Sequence, residues 1–168
     1  MDLTMIILRL IHVLSGVFWA GTTFVLVSHV SPAVKATGPE GQKFMQHLAG
    51  QGQITNALLI TGLLTLLSGW TMYFVQNWQS AYNTAGGVVL GLGAVLGSSA
   101  FLHGAFVQRK LTITAAGLGK QVATAGGPPT PDQAAEMGRL AAKIQRNGTV
   151  LAYILGITVI CMATFQYL

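Results

Sequence analysis

Charge is what this sequence has least of. Only 8% of its 168 residues are Asp, Glu, Lys or Arg, where an ordinary soluble domain carries roughly a quarter. Acids are the scarcer sign, 4 against 9 bases, and none but Asp2 at the extreme end falls in an apolar run. That argues against a carboxylate-driven proton pump or transporter, which needs ionisable groups at mid-membrane. The single cysteine, Cys161, can form no disulfide within the chain, and a thiol deep in an apolar run acts as a small hydrophobe. No CxxC, HExxH, GxSxG or phosphate-binding loop is present, so the common metal, hydrolase and nucleotide signatures are missing.

What is present is hydrocarbon. Apolar residues make up 52% of the chain and the mean hydropathy is +0.59. Four runs, about 5–27, 54–75, 85–106 and 150–165, reach or approach the roughly 20 residues a helix needs to cross a bilayer. The first lacks a basic leading region and a small-residue cleavage site, so it reads as a span and not as a signal peptide. The expectation is a single all-α integral membrane domain over residues 1–168: a four-transmembrane-helix bundle with spans at about 3–30, 53–76, 84–108 and 148–167.

The net charge of +5 is a topology signal and not a nucleic-acid signal, because of where it sits. Lys35 and Lys43 lie between spans one and two, and Arg109, Lys110, Lys120, Arg139, Lys143 and Arg146 between spans three and four. The link between spans two and three carries no base. By the positive-inside rule both basic segments are cytoplasmic and both termini are on the outer side. Trp70, Tyr73, Trp78 and Tyr82 gather where an outer aromatic belt is expected.

The region between spans three and four is polar yet periodic. Val107, Leu111, Ala115, Leu118 and Val122 recur at helical spacing, as do Met137, Leu140, Ala141 and Ile144, with the breaker AGGPPTP between them. This predicts a cytoplasmic helical hairpin at about 109–147 that extends spans three and four. Thr130 followed by Pro131 and Gln133 is a capping-box arrangement for the second arm. Pro39 after Gly38 likewise suits the first turn of a short interfacial helix carrying Phe44, Met45, His47 and Leu48. In span three, Gly87 with Gly91 and Gly93 with Gly97 give the small-xxx-small spacing of close helix packing, inside one bundle or in a homo-oligomer.

The unusual residues sit in RLIHVLSGVFWAG. At 100° per residue Arg9, His12, Gly16, Trp19 and Thr23 share one narrow sector of the first helix. An ionisable face is costly against lipid, so it should turn inward, toward the bundle or a bound group. A neutral imidazole there suits an axial ligand of haem iron, with Arg9 placed for a propionate, Gly16 making room for the macrocycle and Trp19 packing on its edge. The plainer reading has His12 bonded to a hydroxyl of another helix and Arg9 snorkelling to the headgroups. His103 is the other histidine within an apolar run, while His29 and His47 flank the inner ends of spans one and two. From span boundaries His12 and His103 differ in height by roughly 16 Å, and His29 and His103 by roughly 7 to 8 Å. Two sites follow: an inner one of His103 with His29 or His47, and an outer one of His12 with Met72, Met162 or a partner subunit. Copper held by histidine and methionine, for example His12 with Met5, is the other metal reading, although no cluster of such residues occurs.

The pattern H-x3-G-x2-W-x-G, here His12, Gly16, Trp19 and Gly21 after Arg9-Leu10, resembles the first helix of a group of bacterial membrane proteins. The group includes the membrane part of cytochrome-linked urate oxidases, copper-resistance D-type proteins and the membrane protoporphyrinogen oxidase. The resemblance covers about one helix of four. It implies haem b (cytochrome b type) in the bacterial inner (plasma) membrane, His12 as ligand, and Gly16 and Trp19 as its neighbours. His103 is the chosen second ligand. A urate oxidase's appended CxxCH domain is missing, so urate activity is not carried over. The expected function is a haem-b oxidoreductase or electron-transport protein working with a quinol or a partner redox subunit. The alternatives are a cofactor-free accessory subunit docking through the basic hairpin, and a copper or small-solute permease.

Overall fold

The computed structural model describes residues 3–50, 53–77 and 83–168. Four of its helices are long and apolar enough to cross a membrane: α1 (Leu3–Thr37), α3 (Gln53–Val75), α4 (Ala85–Ala125) and α5 (Pro131–Thr164, with a 3-10 turn Phe165–Tyr167). A short fifth, α2 (Pro39–Gly50), lies between α1 and α3. Each boundary has a local cause. Gly38 takes φ +58°, a left-handed conformation that costs glycine little, and Pro39 starts α2 as a first-turn proline should. Asn77 at φ 56° follows the end of α3, and Asn is among the few side-chain-bearing residues that tolerate that region. The Thr84 hydroxyl caps α4 by accepting from the Gly87 amide at 3.0 Å.

The hairpin is present. α4 runs on to Ala125, Gly126 closes it in a left-handed cap at φ 70°, and α5 begins at Pro131. Thr130 Oγ1 accepts from Gln133 N at 3.3 Å while Thr130 N donates to Gln133 Oε1 at 3.0 Å, the reciprocal pairing that satisfies two orphan donors of a helix start. Trp78 and Tyr82 of the aromatic cluster lie outside the described residues, whereas Trp70 is stacked on Phe74 and meets Tyr73 edge-on.

Packing is by close seams. α1 lies antiparallel against α3, with Gly16 against Thr65 and Gly69 against His12; α4 lies antiparallel against α5, with Gly93 under Cys161 and Met162 and Gly97 under Thr158. Thus Gly93 and Gly97 use their small size for helix approach. Trp19, Ala20, Ala100, Leu151 and Leu155 form the buried core, and Phe101 packs against it edge-on to Trp19 with centroids 6.2 Å apart. The outer surface is apolar instead of charged: Leu14, Val17, Phe106 and Tyr153 are 67–72% exposed. Two π-helical turns, Leu26–Val30 in α1 and Gly104–Gln108 in α4, both lie beside Gly148 of α5, where an added Cβ would meet Val27 Cγ2 at 3.0 Å and Gln108 Nε2 at 3.7 Å.

Candidate functional site

His12 is held by its neighbour helix. Its Nδ1 lies 2.8 Å from the backbone carbonyl oxygen of Thr65, so Nδ1 carries the proton and donates. The ring rests on Gly69, where an added Cβ would come within 2.7 Å of Cε1 and 2.9 Å of Nδ1. Beside it the hydroxyls of Ser15 and Thr65 pair at 2.8 Å, and Thr65 Oγ1 also donates to the Thr61 carbonyl at 2.8 Å. The histidine therefore bonds a backbone carbonyl, and the hydroxyls bond each other. With Nδ1 committed as a donor, Nε2 is the acceptor nitrogen, and the ring makes no other hydrogen bond among the described residues. Which nitrogen of a histidine can bind a metal is set by the bond the other one makes; here Nε2 is the one left to do so.

The companions assigned to His12 are placed differently. Gly16 does make room, but for Thr65, whose Cγ2 would lie 3.4 Å from a Cβ there. Trp19 is 9% exposed and packs over Gly62 against Phe101 in the core, away from the ring. Arg9, one turn before His12, is exposed and forms no ion pair among the described residues.

His12 and His103 are not brought together. Trp19 meets Phe101, so His12 lies short of that level and His103 beyond it, about nine residues apart or about 14 Å along the axes at 1.5 Å per residue. They also lie on different seams, since the α3-facing side of α4 carries Ser98, which accepts from Trp70 Nε1 at 3.1 Å, and Phe101. His103 Nε2 is buried without a partner among the described residues. His29 is exposed on the π turn of α1, beside Glu40, Gly41 and Phe44. Val27 and Gln108 share a level through Gly148, which puts His29 and His103 about seven residues, or about 10 Å, apart in height. His47 is exposed on α2. Met162 packs on Gly93 in the α4–α5 seam. Among the described residues no three His, Cys, Asp or Glu side chains converge as a metal group.

One cavity was not visible in any motif. A cavity of about 320 Å³ opens between the hairpin-side halves of α1, α3, α4 and α5 and is closed off by α2, a size at the lower end of the range for small-molecule sites. Both π turns line it, as Leu26, Val27, Gly104, Ala105 and Gln108, and π turns recur at functional sites because they interrupt regular packing. Its walls are mostly apolar. Its polar residues include Thr23, Gln42, Thr55 and Thr112, together with Gln108, whose Nε2 donates to the Ile144 carbonyl at 3.2 Å, Arg109, whose Nη2 donates to Asn56 Oδ1 at 3.3 Å, and the hydrogen-bonded pair Ser31 and Gln145. Gln108 Oε1 and Arg109 Nε are buried with no partner among the described residues. The sequence marks Arg109 as a topology charge; the signal that it does more is its position next to Gln108 at the end of an apolar run. Set against family models, curated proteins and solved structures, the chain matches none of them.

Proposed function

We propose that this chain is a four-span membrane protein of the bacterial inner membrane that holds haem b through His12 and takes part in electron transfer. Its termini face the periplasm and its hairpin the cytoplasm. The membrane reading is supported by the four long apolar helices and by an outer surface that carries large hydrophobics, a surface that needs lipid or a partner to cover it. Orientation is supported by the six bases between residues 109 and 146.

The observation that carries the haem reading is the His12–Thr65 bond. A ligating histidine almost always donates its other N–H to a carbonyl or carboxylate, which fixes the tautomer and raises the basicity of the ligating nitrogen. Haem b would supply a one-electron couple whose potential depends on its axial ligand and burial. The protein's part is to keep the imidazole neutral, to hold its plane on Gly69, and to offer Arg9 to an acidic edge of the group. Each chain furnishes one histidine for this site, because His103 belongs to another seam.

Purified in mild detergent, the protein is expected to be red, with a Soret band that shifts on dithionite reduction. A colourless preparation that takes up no added haemin would overturn the proposal and leave a scaffold or accessory role.

A further inference from the structure

We infer that the cavity between the hairpin-side halves of the four long helices binds an amphiphile whose head group carries an anionic oxygen next to a hydroxyl. The inference does not depend on haem, since no histidine or cysteine lines this cavity among the described residues.

Two orphaned atoms lie on adjacent residues of α4 among the described residues. Gln108 is oriented by its Nε2 bond to the Ile144 carbonyl, so its buried Oε1 must find a donor elsewhere. Arg109 engages Asn56 through Nη2, yet its buried Nε–H has no acceptor, and it forms no ion pair among the described residues. Buried polar groups left unmatched are costly, and a native structure that keeps them calls for a partner. The one that answers both must accept from a guanidinium and donate to an amide oxygen. An anionic oxygen with a neighbouring hydroxyl does this; a zwitterionic choline head supplies the oxygen but not the donor, and a neutral diacylglycerol supplies the donor but not the charge.

The walls identify the rest of the ligand. Toward the core the cavity is lined by Trp19, Leu58, Phe101 and Leu151, which offer an apolar channel to a hydrocarbon tail. No acidic side chain lines it among the described residues, so nothing repels the anion. The cavity also straddles the level at which the proposed inner membrane surface lies, between Trp19 of the apolar run and Val34 beyond it. A single-chain lipid and a two-chain phospholipid of the bilayer share this chemistry.

The test is native mass spectrometry of the detergent-solubilised full chain with phosphatidylglycerol, its single-chain lyso form, phosphatidylcholine and diacylglycerol added separately. One glycerol-headed anionic lipid should bind 1:1 with about tenfold preference over phosphatidylcholine, the equivalent of the one hydrogen bond from its hydroxyl to Gln108. Whichever of the two glycerol-headed forms saturates first identifies the source. Arg109→Gln should abolish the preference over diacylglycerol, and Lys110→Gln, which removes the adjacent exposed charge, should retain it. Gln108→Leu should lose discrimination against phosphatidylcholine but keep discrimination against diacylglycerol, a split that a misfolded variant does not produce. Equal retention of all four lipids, or a preference over diacylglycerol that survives Arg109→Gln, would overturn the inference.

Discussion

The imidazole of His12 occupies the space that a side chain at Gly69 would need, with Cε1 2.7 Å from the ideal Cβ position, while its Nδ1 reaches the Thr65 carbonyl at 2.8 Å. One residue thus sets both the spacing of the α1–α3 seam and the free nitrogen of the site. Gly69→Ala should push the ring off its carbonyl and cost about 1–3 kcal/mol as an overpacked seam. Gly21→Ala, where a new Cβ meets nothing within 4 Å, should be neutral or slightly stabilising. Thermal unfolding in detergent compares the two, and an equal effect would show that the seam is not tight.

The paired hydroxyls of Ser15 and Thr65 test the same seam without touching the ring. Thr65→Val should cost about 1 kcal/mol, the net worth of a typical hydrogen bond. In a double-mutant cycle with Ser15→Ala the two changes should be non-additive; additive losses would mean that the hydroxyls do not pair.

At the other end of the protein, Gly86 lies against the backbone carbonyl of Phe165, which cannot swing aside as a side chain can. Gly86→Ala should therefore destabilise more than Gly97→Ala, whose new methyl would meet only the Thr158 Cγ2 at 3.3 Å. A reversed order in urea or thermal titration would contradict this packing.

The hairpin should respond to its cap. Thr130→Ala removes the Oγ1 acceptor of Gln133 N and is expected to cost about 1 kcal/mol, seen as faster amide exchange in the first turns of α5. The His12 site is far along the bundle, so any pigment should be unchanged.

Much of this was legible because it follows from local physics. Apolar run length gives the four helices, Thr130-Pro131 with Gln133 gives the hairpin's second start, and Gly93 with Gly97 gives a seam. What was illegible depends on which helices become neighbours. His12 reads as inward-facing from its sector, but nothing in the chain says that Thr65 and Gly69 will receive it, although Thr61, Thr65 and Gly69 recur at four-residue spacing on α3. Heights counted from run ends placed His29 and His103 closer in level than the register at Gly148 does, because apolar runs do not end where helices cross. The cavity is lined by both π turns, and a π turn has no residue signature that a single sequence displays.

The most direct test is the haem-to-protein ratio of His12→Ala and His103→Ala beside the unaltered protein, each purified in the same detergent and supplied with haemin. The account predicts one haem per chain, lost in His12→Ala and kept in His103→Ala. Full haem content in His12→Ala, or loss confined to His103→Ala, would contradict it.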